Sequence, residues 1–284
     1  MHFANHEDDF ACLAFAKLLR SSPRILCVVG AGLSASSGLP TWRGTNGLWN
    51  DVKVKDLASP KSFQEDPVTV WRFYGERLLE SLAAQPNAAH YAMATLARWH
   101  DGWLTVNQNV DGLLERTNHP ISQLLSIHGA LQLVRCTSCD YQTRIQKPED
   151  LPLLMLLSVA GDQARSIDMS DLPRCPTCEN LLRPGVVWFG ERLAAGAPDN
   201  VDDWIAETDI DLVIAVGTSL EVFPAAEWVG TVREYGAALA IFDLDRRHLH
   251  ENEWNDEDWF FEGDVSVVLP KILGFVNCKA LGKV

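Results

Sequence analysis

Arg24 to Gly44 reads RILCVVGAGLSASSGLPTWRG. Its first part, Arg24 to Gly30, is an apolar run without alternation, which is how a strand buried on both faces looks when it runs into a glycine turn. Gly30, Gly32 and Ala35 then stand in a G-x-G-x-x-A pattern. In a doubly wound sheet such a turn brings backbone close to a pyrophosphate, with the following helix N-terminus facing the anion. Alone the pattern is weak, since a glycine-rich turn with no ligand looks the same.

Working outward, three more short apolar runs have the same character: WLTVNQN from Trp103, DLVIAVG from Asp211 and AALAIFDLD from Ala237. Between them the spacing predicts helices. Phe10 to Leu19 is amphipathic and closed by Pro23, and Pro67 to Leu82 carries Val70, Trp71, Tyr74, Leu78 and Leu82 on one stripe. Strands alternating with helices imply an α/β fold. The expectation is a Rossmann-like doubly wound parallel sheet plus a smaller lobe, made of a helical insertion and, around the C-x-x-C pairs Cys136/Cys139 and Cys175/Cys178, a zinc-binding module. The large lobe is expected at 1–48, 101–133 and 184–284, the small lobe at 49–100 (helical) and 134–183 (zinc-binding), in one domain spanning 1–284.

The chain has 284 residues and a net charge of −14, a sign that repels phosphate backbones and attracts basic polypeptides. No direct nucleic-acid partner is expected. The N-terminus lacks a basic start with a long apolar stretch and is acidic for a mitochondrial presequence. The apolar stretch 151–160 is roughly half a membrane span. The expectations are a cytoplasmic or nuclear location, with a mitochondrial one left open, no membrane partner, and a monomer.

Seven cysteines include two C-x-x-C pairs, Cys136/Cys139 and Cys175/Cys178. Four thiolates can close a tetrahedral zinc site, and with no open position that metal is structural. A redox-active dithiol is the alternative. The odd count, and Cys27 inside an apolar run, argue for reduced thiols.

The run from Trp103 ends in Asn107, Gln108, Asn109, Val110 and Asp111. That many amides and acids at a buried strand's carboxyl end must meet a ligand, one another, or act as helix caps. His128 follows in SIHGAL, as either a structural histidine or a base that works near neutral pH.

Gly30 to Gly44 matches the string G-A-G-x-S-x-x-S-G-x-P-x-[FW]-R-G, and on it the chain resembles the sirtuins, NAD-dependent protein lysine deacylases. The resemblance runs from about Arg24 to Leu273. It implies that Gly30, Ala31, Gly32, Ser34, Thr41, Trp42 (where phenylalanine is usual) and Arg43 bind the cofactor, Arg43 within a closing loop. It implies that Gln108 meets a ribose, that Asn109 and Asp111 orient the nicotinamide end, and that His128 is the general base. Asn107 replaces a usual threonine. Gly217, Thr218 and Ser219 would hold NAD phosphate and ribose groups, Asp243 (usually asparagine) the adenosine ribose, and Val265 the adenine side. LLRPGVVWFGE, Leu181 to Glu191, resembles the segment that pairs with a substrate peptide, and so Val187, Trp188, Phe189 and Gly190 are substrate residues by resemblance.

Within the family the chain is most similar to the subclass that removes succinyl, malonyl and glutaryl groups. Tyr74 and Arg77 form a Y-x-x-R pair on one helix face, which in that subclass binds the distal carboxylate, and Ala58 matches a small residue that widens the channel. On helix pattern alone, Tyr74 fits an apolar stripe and Arg77 could pair with Glu80. A buried arginine facing an acetyl group would keep an uncompensated desolvation cost that a succinyl carboxylate would offset. The implied products are free lysine, nicotinamide and 2′-O-acyl-ADP-ribose. The rivals are a deacetylase, an ADP-ribosyltransferase at the same NAD site, and a non-enzymatic binding module. The cofactors implied are NAD, consumed, and one structural zinc; the partners are acyl-lysine proteins or peptides.

Overall fold

A computed structural model describes residues 2–5, 7–41, 48–49, 52–159, 166–193, 196–244 and 254–277. Trp42 and Arg43 lie outside the described residues. The chain begins β1 (His2–Asn5), α1 (Asp9–Ser21), β2 (Ile25–Val29), α2 (Gly32–Ala35), β3 (Leu48–Trp49) and β4 (Val52–Lys53). Four helices follow, α3 (Val54–Leu57), α4 (Pro60–Glu65), α5 (Pro67–Ala83) and α6 (Ala88–Trp99), then β5 (Trp103–Asn107) and β6 (Leu124–Ser126). The middle of the chain gives β7 (Gly129–Cys136), β8 (Gln142–Arg144), α7 (Pro152–Leu157) and β9 (Leu182–Val186). Last come α8 (Ala197–Glu207), β10 (Leu212–Val216), α9 (Ala225–Glu234), β11 (Ala238–Asp243), β12 (Trp259–Glu262) and α10 (Val265–Asn277).

Among the described residues, seven strands make one sheet in the order β1-β12-β11-β10-β2-β5-β6, and every pairing is parallel. All five residues of β2 are buried, because the strand feeds two cores at once. Ile25, Cys27 and Val29 face Phe15 of α1, Met93 of α6 and Val268 of α10; Leu26 and Val28 face Val201 of α8 and Trp228 of α9. This is the doubly wound α/β sheet expected from the apolar runs. The order reverses between β2 and β10: β5 and β6 follow β2 on one side, β11 and β12 follow β10 on the other. At such a reversal the loops leaving two adjacent strands diverge, which opens a crevice at their carboxyl ends.

Three strands of this sheet have no counterpart in the apolar runs. Among the described residues, β1 pairs with β12 alone and Ala4 is its one buried side chain, so it has no core signal of its own. β12 is the aromatic run WFFE, and its Phe261 packs with Phe242 and Trp259 around Phe15. β6 is three half-buried residues.

A third apolar cluster holds Val54, Leu57, Ala58, Phe63, Trp71, Tyr74 and Leu78 together with Leu131, Val134, Leu153, Leu154, Leu182 and Trp188. Its frame is an antiparallel sheet, β8-β7-β9, against α5 and α7. Helix α5 starts at an Asp66 cap, whose carboxylate accepts from Thr69 N, with Pro67 in its first turn. Such a cap is worth about 1 kcal/mol. The apolar stretch from Leu151 supplies α7, and among the described residues no helix is long and apolar enough to cross a membrane.

Candidate active site

The loops leaving β2, β5 and β10 converge at the reversal. Gly30 N donates to Val216 O and Gly32 N donates to Gly217 O, each at 2.9 Å. The approach is tight enough to require glycine. A Cβ on Gly30 would lie 2.6 Å from Gly217 O, and one on Gly32 would lie 2.6 Å from Gly217 Cα. Gly217 itself has φ +57°. Thus the glycines let one loop lie on another, which brings their backbone groups to the mouth of the crevice. The helix that follows is short. α2 is a single turn, Gly32–Ala35, since Ser36 and Ser37 are weak helix formers and Gly38 turns the chain with φ +85°.

The polar end of β5 is satisfied largely by itself and by these loops. Asn107 Oδ1 accepts from Asn109 N at 3.0 Å, and Asn107 Nδ2 donates to Ser126 Oγ at 3.1 Å. Asn109 Nδ2 donates to Gly30 O at 2.9 Å. Thr218 Oγ1 donates to Gln108 Oε1 at 2.9 Å, so residues 108 and 218, 110 positions apart, meet directly. Asp111 points inward: its carboxylate accepts from Ser34 Oγ at 2.7 Å and from Leu113 N at 2.8 Å. Burial pushes the Asp111 carboxyl up, against the Ser34 hydrogen bond that lowers it.

His90 belongs to this network and was not among the expected site residues. Its Nδ1 accepts from Asn87 N at 3.1 Å, which leaves Nε2 as the donor, 3.4 Å from Ser34 Oγ. Burial brings this imidazole down to about 4, so it is neutral. The sequence signal was the N-x-x-H spacing of a capping box at the start of α6.

His128 stands beside the same loops. Only an N–H can bond a carbonyl, so Nδ1 donates to Gln108 O at 2.9 Å. Nε2 therefore carries the lone pair. Burial lowers the pKa, and the bond to Gln108 opposes that shift. His128 O accepts from Val187 N at 2.9 Å, which ties the histidine to the segment after β9. Gly129, with φ +76°, lies so close to β9 that a Cβ would meet Gly185 O at 2.2 Å.

The remaining expected cofactor residues are spread around the crevice. Ala31, Thr41, Ser219 and Asp243 are half-buried, and Asp243 closes β11, where its carbonyl accepts from Gly263 N at 3.0 Å. Val265 is 4 % exposed within the first core, so its side chain faces apolar neighbours.

Of the expected substrate residues, Ala58 meets Phe189 and Tyr74 meets Trp188 at the edge of the third cluster. Phe189 N donates to Ala58 O at 2.9 Å, and the Phe189 ring is half-open. Trp188 is turned inward under Arg183, whose guanidinium carbon is 3.3 Å from the ring centre, and its amide donates to Glu191. Val187 is half-buried and Gly190 is exposed with φ +87°. Tyr74 is buried with its ring 6.3 Å from that of Trp188. Burial pushes its phenol up, so it remains a donor. The Arg77 side chain is 25 % exposed and ion-paired with Glu80 at 3.0 Å. It is neither turned into bulk solvent nor without a partner.

The four paired cysteines come together with all Sγ atoms within 4.8 Å of one another. Cys136–Cys178, Cys139–Cys175 and Cys139–Cys178 separations are 3.4, 3.6 and 3.5 Å. A tetrahedral zinc with sulfur ligands at about 2.3 Å needs edges of about 3.8 Å. The thiols are free, and Ser138 N, Thr177 N and Asn180 Nδ2 donate to three of the sulfurs, as suits thiolates. The donor set fits a closed zinc site between β7 and β9.

The model of the Sir2 family matches residues 30–224. A protein named NAD-dependent protein deacylase from Candida albicans is 38% identical, with 90% of this chain and 94% of that one covered. NAD-dependent protein deacylase 1 of Pseudomonas aeruginosa is 39% identical over 92% and 97%. NAD-dependent protein deacylase sirtuin-5, mitochondrial, of Canis lupus familiaris is 36% identical over 91% and 84%. Among solved structures, a Sir2 homologue in complex with NAD superposes with a TM-score of 0.79 at 33% identity, covering 99% of this chain and 98% of that one.

Proposed function

The chain belongs to the Sir2 family, and from that premise we propose that it is an NAD-dependent protein lysine deacylase with a preference for succinyl, malonyl and glutaryl groups. One observation carries the reaction: the fixed tautomer of His128, whose Nε2 lone pair stands beside loops already joined through Gln108, Thr218, Asn109 and Gly30. The half-exposed amides and hydroxyls at three strand ends are a donor set suited to a dinucleotide. Bound NAD supplies a nicotinamide leaving group and the ribose that receives the acyl oxygen.

The chain's own share is orientation and proton handling. Backbone at Gly30, Ala31, Gly32, Thr218 and Ser219 would hold the phosphates. Gln108 would face a ribose, and Asn109, itself held by Gly30 O, would orient the nicotinamide end. Asp111 keeps Ser34 and the 111–113 turn in place. His128 accepts a ribose hydroxyl proton at Nε2. Because burial lowers its pKa, the neutral base is the resting form. Rate therefore rises with pH as His128 loses its proton. The acid limb of kcat/KM is expected below the ordinary histidine value of 6.5, and a midpoint above it would refute the assignment. Segment 187–190 is suited to receive a peptide as an added strand. The Cys136, Cys139, Cys175 and Cys178 site would hold zinc as a structural tie.

The acidic-acyl preference rests on a mostly covered guanidinium on the same helix face as the Tyr74 donor, with Ala58 nearby on Phe189. Matched acetyl-, malonyl-, succinyl- and glutaryl-lysine peptides with NAD test it. Arg77→Met is expected to lower desuccinylation about ten- to hundredfold, the worth of one charged hydrogen-bond set, while deacetylation changes little. Comparable rates on acetyl and succinyl by the native protein sink the preference. Transfer of ADP-ribose onto protein without deacylation sinks the deacylase.

A further inference from the structure

Arg77 carries more donors than its surroundings use. Its guanidinium lies over the Phe73 ring, 5.4 Å from the centre, with the side chain only 25 % exposed. One arm, Nη1, reaches Glu80 Oε2 at 3.0 Å, and no other hydrogen bond of this group is made among the described residues. A guanidinium offers five N–H donors in a rigid fork, so a one-point pair leaves the second arm open to a carboxylate. Glu80 is three residues further along α5, and its side chain is 48 % exposed. It can move into water with little penalty; exposed pairs of this spacing are worth a factor of about two to five.

We propose that Glu80 is an internal rival carboxylate, which holds Arg77 while a neutral acyl group or none is present and must be displaced by an acidic one. The inference rests on Arg77 being the acyl-carboxylate receptor. It also changes the electrostatics of the pocket. A half-buried guanidinium facing an acetyl group is not left uncompensated, because Glu80 stays paired with it. An arriving succinyl carboxylate takes both arms of the fork and sends Glu80 to solvent. Glu80 thus narrows the gap between neutral and acidic acyl groups. It is a specificity residue that acts through Arg77 and touches no reacting atom.

The test is the ratio of kcat/KM for succinyl-lysine to that for acetyl-lysine, on one peptide sequence, in the full chain with NAD. Glu80→Gln removes the charge and keeps the size. It is expected to raise the ratio about two- to fivefold, chiefly through a lower KM for the succinyl peptide. Glu80→Gln in an Arg77→Met background should leave the ratio where Arg77→Met alone puts it, since Glu80 acts only through that cation. If Arg77→Met collapses the ratio but Glu80→Gln leaves it unchanged or lowers it, the rivalry is wrong and Arg77 stands as receptor. If Arg77→Met leaves the ratio intact, the receptor assignment fails and the rivalry fails with it. General loss of folded protein moves both substrates alike, so it cannot mimic the expected rise.

Discussion

His128→Asn is expected to abolish turnover of every acyl-lysine peptide, acidic or neutral, by a factor of about 10²–10⁴, the usual worth of a positioned general base. Asparagine is smaller than histidine, so it introduces no overpacking, and its amide can still donate to the Gln108 carbonyl that now accepts from Nδ1 at 2.9 Å. What it lacks is a basic atom where Nε2 stands. NAD binding should survive, because the loop contacts Gly30–Val216, Gly32–Gly217 and Gln108–Thr218 do not involve residue 128. Calorimetric titration with NAD and a thermal melt, run beside the activity assay, separate the cases. A variant that binds NAD, melts like the parent and does not turn over fits the base. Activity within a few-fold of the parent would remove His128 from the mechanism.

Metal removal has the second large effect. Chelation, or Cys175→Ser, is expected to release one zinc per chain, abolish activity on all substrates and open 129–186 to protease. Closed zinc sites contribute apparent binding energies of about 10–16 kcal/mol in small peptides. That matches or exceeds the total stability of about 5–15 kcal/mol of a typical domain. The four sulfurs join the end of β7 to the turn before β9, and β9 leads directly to Val187, which bonds His128 O. A structural ion away from the reacting atoms should therefore still govern the active site. Full turnover by a metal-free preparation, verified by elemental analysis, would show that thiols alone hold these strands.

The parts of the site that were legible in the sequence are those whose chemistry is local. The two C-x-x-C knuckles each present two sulfurs whatever the fold does, and the glycine turn, weak alone, gains its meaning from the contiguous string Gly30 to Gly44. Strands β2, β5, β10 and β11 announce themselves because a strand covered on both faces must be apolar throughout. β1 could not, because it owes its place to β12, and β12, held between β1 and β11, is only four residues long. The polar run after Trp103 is a mixed case. Sequence reading left a ligand, mutual pairing or helix caps open. Mutual pairing accounts for the bond between Asn107 and Asn109, whereas Asn107, Asn109, Asp111 and Gln108 also bond Ser126, Gly30, Ser34 and Thr218 from other parts of the chain. His90 escaped notice for the same reason, since its partner Ser34 is 56 positions away.

By itself, then, the sequence determined the class of fold, the family string from Gly30 to Gly44 and the four cysteines that the fold brings together, because each depends on residue type and short spacing. Only the tertiary structure decided which nitrogen of His128 is basic and why Gly30 and Gly32 must face Gly217. Those outcomes come from groups far apart in the chain. They are fixed by packing and by the need to satisfy buried polar atoms, and no local pattern encodes either.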